Sequence, residues 1–147
     1  MNKINVAIVG NPNSGKSTLF STLTGFHQEV GNWPGKTIEK KEGCTCFRNQ
    51  KINFVDLPGI YSLNTDTQEE KIAKKFIESK KYDVILNIVD ASNIERNLFL
   101  TMQLAMYTNN MIIVLNLNKY AKKIGLSFHV GSQCTNIKNW IDGIQSA

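Results

Sequence analysis

The chain has 147 residues, of which 41% are hydrophobic, and 17 basic and 12 acidic residues give it a net charge of +5. This length suits one domain, and the hydrophobic fraction excludes a chain that is disordered throughout. No apolar run approaches the roughly 18–20 residues of a membrane-spanning helix, and the N-terminus lacks the apolar core of a signal peptide.

Strands and helices alternate along the first four-fifths of the chain. Hydrophobic patterning predicts five strands, at 4–9, 37–47, 51–55, 84–89 and 111–115, and three helices, at 16–24, 68–79 and 93–107. The segment 26–36 contains two glycines and a proline and is predicted to be a loop. Apolar strands that alternate with helices are typical of an α/β fold, with a mostly parallel sheet covered on both faces. Such sheets bind ligands at the carboxyl ends of their strands.

Two of the predicted helices are amphipathic. In the helix 68–79, the residues that share one face are Ile72, Ala73, Phe76 and Ile77. In the helix 93–107, the residues predicted to face the core are Leu98, Met102, Ala105 and Met106.

Composition also restricts the partners that we expect. The lysines are scattered along the chain, which favours a solvated surface over a nucleic-acid-binding stripe. The three cysteines are an odd number, which indicates a reduced, cytoplasmic protein. We therefore expect neither nucleic-acid binding nor direct insertion into a membrane.

The most informative motif is Gly10-Asn11-Pro12-Asn13-Ser14-Gly15-Lys16-Ser17, which matches G-x-x-x-x-G-K-[ST] between a predicted strand and a predicted helix. Residues 10–17 are called the phosphate loop below, and Thr18 follows them. Glycines let backbone N–H groups surround phosphate oxygens, and the helix N-terminus adds positive potential. Lys16 is predicted to neutralise the β- and γ-phosphates, and Ser17 to bind Mg²⁺. The alternative is an ordinary turn with an exposed lysine.

Asp56-Leu57-Pro58-Gly59 ends a predicted strand about 40 residues later, as the Walker B aspartate of a phosphate-binding domain does. Asp56 is predicted to hold Mg²⁺ through water. Gly59 is predicted to donate its N–H to the γ-phosphate and to act as a hinge on hydrolysis. Without the phosphate loop, this sequence would indicate only a turn.

Gly35 and Thr37 lie at the end of the Gly/Pro loop, between the two motifs, and are predicted to contact the nucleotide. A threonine at this place in the series can close over the γ-phosphate and bind Mg²⁺. Lys16, Thr37 and Gly59 are therefore the predicted catalytic residues. A threonine that simply enters a strand is the alternative.

The spacing of these motifs resembles that of small GTPases, and four segments resemble one family, ferrous iron transport protein B (FeoB). The segments are Gly10 to Ser17, Gly31-Asn-Trp-Pro-Gly35, Asp56-Leu-Pro-Gly-Ile-Tyr-Ser-Leu63 and Asp90-Ala-Ser-Asn-Ile-Glu-Arg-Asn-Leu98. The resemblance covers residues 1 to about 117. It implies a Mg²⁺-dependent, GTP-binding domain at the cytoplasmic face of the membrane, which precedes a membrane permease that this chain lacks.

The family pattern implies further roles. Asn11 matches an asparagine that helps hold K⁺ beside the phosphates in potassium-stimulated members, while a turn-forming role is the alternative. Ile60 stands where many GTPases have a water-orienting glutamine, so hydrolysis is expected to be slow. Trp33 lies in the first switch, either exposed as a contact surface or buried under the loop.

The guanine-binding motif departs from the family. Asn116 is in place for N-x-x-D, but Lys119 stands where the guanine-reading aspartate belongs. A lysine only donates hydrogen bonds, so it cannot accept from the guanine N1–H and 2-amino group. We therefore expect weakened guanine preference with phosphate binding retained.

The last residues differ in character from the rest. Residues 125–147, and most clearly 125–134 within them, resemble a segment of pyridoxal-phosphate decarboxylases acting on ornithine or diaminopimelate, with His129 and Ser132 matching cofactor neighbours. The Schiff-base lysine segment is absent, which excludes that catalysis. Ile137, Trp140, Ile141 and Ile144 predict an amphipathic helix after Thr135 as N-cap. We divide the chain into an incomplete G domain, 1–123, and an atypical segment, 124–147.

The sequence thus predicts a P-loop NTPase fold of about five strands, with the last strand and helix of the G domain missing or replaced. The predicted function is a GTP-binding and GTP-hydrolysing domain that regulates ferrous iron uptake, with GTP or GDP, Mg²⁺ and K⁺ as ligands. Two alternatives remain open: a nucleotide-binding module or truncated fusion without turnover, and a P-loop NTPase with relaxed base specificity.

Overall fold

Strands and helices alternate in the computed structural model, which describes residues 3–116 and the backbone of 127–129. Their order is β1 (Lys3–Gly10), α1 (Lys16–Thr24), β2 (Gln28–Asn32), β3 (Glu39–Phe47), β4 (Gln50–Asp56), α2 (Gln68–Glu78), β5 (Val84–Asp90), α3 (Ile94–Ala105), β6 (Met111–Asn116) and β7 (Ser127–His129). A short 3-10 turn, Ala91–Asn93, precedes α3. The predicted α/β fold is confirmed.

All the strands of this part of the chain form one mixed sheet, in the order β2-β3-β4-β1-β5-β6-β7. The central strands β4, β1, β5 and β6 are parallel, whereas β2, β3 and β7 pair antiparallel to their neighbours. Because these four strands are parallel, the carboxyl ends of β1, β4, β5 and β6 lie along the same edge of the sheet. The site predicted from the motifs lies along this edge.

The prediction of five strands is wrong, because the described residues form seven. Strand β2 lies inside the segment predicted to be a loop. Its sequence, Gln-Glu-Val-Gly-Asn, has no apolar alternation, and most of its side chains are exposed at the sheet edge. Backbone pairing with β3 therefore defines β2, and side-chain patterning carries no signal for such a strand.

Helices cover both faces of the sheet. On one face, Phe20 of α1 packs with Val6, Ile8, Phe54 and Ile88. On the other face, α2 and α3 complete a larger core, whose buried members include Ala7, Val9, Leu57, Ile72, Ala73, Ile77, Ile85, Leu100 and Leu104. Burial of these apolar side chains on both faces holds the central strands in place, and the candidate site lies at the carboxyl ends of those strands.

The predicted inner face of α2 is confirmed, but that of α3 is wrong. Met102 and Met106 are exposed, and the buried residues of α3 are instead Asn97, Leu100, Thr101 and Leu104. Two of these are polar and have internal partners: Asn87 donates to Thr101 over 2.6 Å, and the Asn97 side chain accepts from the Asp90 N–H. Hydrophobic periodicity misplaces the face because hydrogen-bonded polar residues occupy half of it.

Within residues 3–116, no helix has the length and apolar character needed to cross a bilayer. Among the same residues, no cluster of three or more His, Cys, Asp or Glu could hold a metal ion. Lys119, Ser132 and the predicted helix after Thr135 lie outside the described residues. The division of the chain at residue 123 stays a prediction.

Candidate nucleotide-binding site

The phosphate loop begins at Gly10, where β1 pairs with Ile88 of β5. A Cβ on Gly10 would lie 2.7 Å from the Ile88 carbonyl oxygen and 2.9 Å from Ser14 Oγ, so only glycine fits. Further along, Asn13 and Gly15 have φ of 63° and 87°, in the left-handed region. The Ser14 N–H donates to the Asn11 carbonyl over 3.2 Å and closes the turn. Such alternation of backbone conformation forms a concave array of N–H groups that suits an anion.

Helix α1 starts directly after this loop and directs its N-terminus at the same place. Gly15 is the N-cap and has no side chain with which to cap the helix. The Leu19 N–H donates to the Gly15 carbonyl, so the N–H groups of residues 16–18 precede the first helical bond. The first turn holds no acidic residue. These groups are therefore available to a phosphate.

Lys16 and Asp56 form a buried ion pair at the centre of the site. Lys16 Nζ lies 2.5 Å from Asp56 Oδ1, and the two side chains are 10% and 7% exposed. Burial raises the pKa of the Asp56 carboxyl above its ordinary value, although the charge and hydrogen bond of Lys16 act in the opposite direction. The lysine and the aspartate that the two motifs predict are therefore in direct contact.

The segment after β4 packs against the phosphate loop. The Ile60 N–H donates to the Gly10 carbonyl over 3.2 Å, and the Leu57 N–H donates to the Ile8 carbonyl over 3.0 Å. A Cβ on Gly59 would lie 3.2 Å from Pro12, so glycine permits this approach. Ile60 is 2% exposed, which places an apolar side chain under the segment and directs no polar group to a water.

Asn116 joins the same cluster from the end of β6. Its side-chain Nδ2 donates to the Ser14 carbonyl over 2.8 Å. The structure thus brings together the residues predicted to bind nucleotide in the phosphate loop, at Asp56–Gly59 and at Asn116.

Two side chains of the phosphate loop are buried without partners. Asn11 is 4% and Ser14 1% exposed, and the Asn11 amide atoms and Ser14 Oγ make no hydrogen bond within the described part of the chain. A buried polar group without a partner is costly, and a ligand is a common reason for retaining it. The donor set of amide, hydroxyl and backbone N–H groups fits phosphate oxygens. The side-chain oxygen of Asn11 fits a cation.

The loop that contains Trp33 and Thr37, called the first-switch loop, is held in place at Trp33 and not at Thr37. Trp33 is buried against α2, with its ring 5.8 Å from that of Phe76 in an edge-on arrangement and Lys40 above it at 5.3 Å. Of the two roles considered for Trp33, burial is the one that the structure shows. Thr37 is exposed, as is Gly35, and the Thr37 side chain makes no hydrogen bond to any described residue. The structure does not bring Thr37 into the cluster.

Sequence reasoning missed a second polar anchor, the segment of residues 62–70 that follows Ile60 and Tyr61. Glu70 accepts from Ser62 Oγ over 2.9 Å and from the N–H groups of Asp66 and Thr67 over 3.0 and 3.2 Å. Burial acts to raise the pKa of Glu70, but these hydrogen bonds outweigh it and hold that pKa below its ordinary value. The signal was available, because Thr67-x-x-Glu70 is a capping box.

Comparison with known proteins identifies the family. A family model described as ferrous iron transport protein B matches residues 4–137. The Fe(2+) transporter FeoB of Salmonella typhimurium is 44% identical over an alignment of 141 positions, which covers 93% of this chain and 18% of that protein. The FeoB of Helicobacter pylori is 45% identical, and the aligned region covers 88% of this chain and 20% of that protein. The chain thus spans about a fifth of these relatives.

Solved structures agree with the family model. The G domain of the Thermotoga maritima FeoB iron transporter has a TM-score of 0.79 and 39% identity, over 84% of this chain and 77% of that one. A GDP-bound single-residue mutant of the S. thermophilus FeoB G domain has a TM-score of 0.69 and 48% identity, over 80% and 44%. These neighbours have the P-loop NTPase fold, and the chain belongs to the FeoB family as its N-terminal G domain.

Proposed function

We propose that this domain binds GTP and GDP with Mg²⁺, hydrolyses GTP slowly, and regulates Fe²⁺ uptake by the membrane permease of a longer transporter. The observation that carries the proposal is the phosphate loop, with its left-handed turns, uncapped helix N-terminus and buried Lys16, in a chain of the FeoB family. The GDP-bound S. thermophilus relative supports a guanine nucleotide as the ligand. The proposed place of action is the cytoplasmic face of the membrane.

Each part of the site has a proposed role. The backbone of residues 10–15, the N–H groups of residues 16–18 and Lys16 bind the phosphates, and Asn116 supports the loop beneath the base. Ser17, Thr37 and, through water, Asp56 would hold Mg²⁺, which would neutralise phosphate charge. Asn11 would hold K⁺ through its side-chain oxygen, which has no hydrogen-bond partner in the described part of the chain. Gly35 beside Thr37, and Leu57 and Pro58 beside Asp56, contact the nucleotide, and the Gly59 N–H contacts the γ-phosphate.

The proposed reaction is in-line attack of water on the γ-phosphate. Lys16 and the N–H groups of the loop stabilise the charge that develops on the phosphate oxygens. No side chain at position 60 orients the water, because the buried Ile60 has no polar atom to offer. Slow turnover follows from this arrangement. Thr37 and Gly59 report the state of the nucleotide, and Thr37 must move from its exposed position to do so.

The test measures GTP turnover by phosphate release with Mg²⁺, in KCl and in NaCl at equal ionic strength, beside a titration with fluorescent GDP. We expect saturable GDP binding and slow turnover that is faster in KCl. Exposed Lys71→Ala is the control for loss of a lysine charge and should behave as the parent. Measurable GDP binding without any phosphate release would contradict the enzymatic part of the proposal.

A further inference from the structure

Helix α3 carries a second apolar face, in addition to the one that packs on the sheet. Phe99, Met102 and Met106 follow the spacing i, i+3, i+7, and they are 52%, 51% and 84% exposed. Leu98, which is half-buried, and Ala105, which is exposed, lie beside them. With about 3.6 residues per turn, these five residues cover about 120° of the helix surface, which is as wide as a core-facing stripe. We call them the α3 stripe.

Hydrophobic patterning predicts four members of the α3 stripe as core residues, yet most of this surface is exposed in the described part of the chain. The sheet covers the other face of α3, through Leu100 and Leu104. A helix that is apolar on more than one face is typically packed between two partners. The α3 stripe therefore indicates a second partner for this helix.

The position of the α3 stripe follows from the contacts on the opposite flank of α3. There, the Gln103 side chain accepts from the Leu63 N–H over 2.7 Å, and the Arg96 guanidinium lies 4.1 Å from the centre of the Tyr61 ring. These contacts involve the segment that follows β4, and β4 lies on one side of β5 while β6 and β7 lie on the other. The α3 stripe therefore extends from the outer surface of α3 toward β6 and β7.

Strand β7 directs the chain back toward the end of the α3 stripe. It is antiparallel to β6, and its last residue, His129, pairs with Ile112, the second residue of β6. Strand β6 itself follows α3 after a short connection, residues 106–110. The residues after His129 therefore start near the C-terminal end of α3, where Met106 lies.

We propose that the amphipathic helix predicted for residues 136–147 packs along the α3 stripe and is its second partner. The apolar positions of this helix are Ile137, Trp140, Ile141 and Ile144, which repeat the spacing of the stripe. Packing of the two helices buries both apolar faces at once. Because the segment is part of the same chain, its packing costs no translational freedom, whereas a second copy of the chain pays that cost.

The lengths of the connection and of the helix fit this arrangement. Residues 130–135 reach at most about 20 Å when they are extended. A helix over residues 136–147 is about 18 Å long, and the α3 stripe from Leu98 to Met106 is about 12 Å long. Since the segment starts near Met106, the helix runs back toward Leu98, antiparallel to α3.

The first experiment crosslinks the two helices in the full chain with a short bis-maleimide. The background carries three substitutions, Cys44→Ser, Cys46→Ser and Cys134→Ser. Met102→Cys with Ile141→Cys should give an intrachain crosslink, which mass spectrometry of the peptides identifies. Lys75→Cys, at an exposed position of α2, replaces Met102→Cys in the control and should give at least tenfold less product. Equal yields would overturn the proposal, and so would a crosslink that forms only between chains, which would assign the α3 stripe to a second copy.

The second experiment measures urea unfolding by circular dichroism and needs no introduced cysteine. Phe99→Gln should lower the folding equilibrium constant about tenfold, whereas the same change at the fully exposed Phe26 should alter it less than about twofold. An uncovered Phe99 predicts no loss, because glutamine favours a helix at least as well as phenylalanine. In a Trp140→Gln background, the loss from Phe99→Gln should fall below about threefold. Equal losses in the two backgrounds, or no loss in the parent, would overturn the proposal. Neither experiment depends on nucleotide binding.

Discussion

The phosphate loop and the segment 62–70 treat buried polar groups in opposite ways. In the loop, the side chains of Asn11 and Ser14 are buried without a hydrogen-bond partner in the described chain. In the segment, Glu70 accepts from Ser62, Asp66 and Thr67, and the side chain of Gln103 accepts from the Leu63 N–H over 2.7 Å. Both regions border the same stretch, Asp56 to Tyr61.

This difference indicates that the phosphate loop binds a ligand, whereas the segment 62–70 stabilises the fold. Polar atoms that an internal network already satisfies stabilise the fold and have little left to offer a ligand. Polar atoms that are buried without partners cost stability and gain it back only when a ligand supplies the missing bonds. We therefore expect changes in the loop to alter ligand binding, and changes in the segment to alter stability.

The largest expected effect is on ligand binding and concerns recognition of the guanine base. Lys119→Asp supplies the acceptor that guanine recognition requires, so the ratio of GDP to ADP affinity should rise on the order of 100-fold. Fluorescent GDP and ADP titrations in Mg²⁺ measure the ratio, with the neighbouring lysine variant Lys123→Asp as control. An unchanged ratio would show that position 119 does not face the base.

The next prediction tests whether the loop geometry depends on its first glycine. Gly10→Ala places a methyl group 2.7 Å from the Ile88 carbonyl, so the free energy of unfolding should fall by about 2 kcal/mol and GDP binding should be lost. Gly31→Ala is the matched control, because a Cβ there meets nothing within 4 Å. Urea unfolding and GDP titration measure both effects. Equal stability of the two variants would contradict the close approach of β1 to β5.

These two predictions also show how far sequence reasoning reaches. The phosphate loop, Asp56 and Asn116 were predicted because glycines, a lysine and strand ends leave a local pattern, and the structure brings them together. The Lys16–Asp56 contact was not predicted, because it joins residues 40 positions apart. The face of α3 was misassigned because its buried Thr101 bonds to Asn87 on another element. Partnerships between distant polar side chains are not encoded in local periodicity.

Glu70 tests whether the segment 62–70 supports stability and not ligand binding. Glu70→Gln weakens three hydrogen bonds to a carboxylate, so the free energy of unfolding should fall by about 1–2 kcal/mol with little change in GDP affinity. Glu69→Gln, a neighbour in the same helical turn, is the control. A larger effect on GDP affinity than on unfolding would contradict the supporting role.

The same residue makes a prediction about pH. Because the folded chain lowers the pKa of Glu70, its stabilising contribution is present above the ordinary glutamate value of about 4.3 and is lost as the pH falls below it. Acid unfolding followed by circular dichroism should thus differ less between the parent and Glu70→Gln at pH 3 than at pH 7. A difference that does not change with pH would show that the charge of Glu70 is irrelevant.

The smallest expected effect concerns Asn11. Asn11→Ala removes buried amide atoms that have no partner in the described chain, so the free energy of unfolding should change by less than about 1 kcal/mol. The stimulation of GTP turnover by KCl over NaCl should fall a few-fold, because the side-chain oxygen that would face K⁺ is gone. Exposed Asn109→Ala is the control. Full retention of potassium stimulation would favour a turn-forming role for Asn11.

The most direct test of the central claim is a titration of fluorescent GDP in Mg²⁺ against the parent and Lys16→Ala, with circular dichroism spectra to verify folding. Lys16 is buried at the base of the phosphate loop, so the account predicts one saturable site in the parent and affinity at least tenfold weaker in the folded variant. Equal affinity of the two folded proteins would contradict nucleotide binding at the phosphate loop.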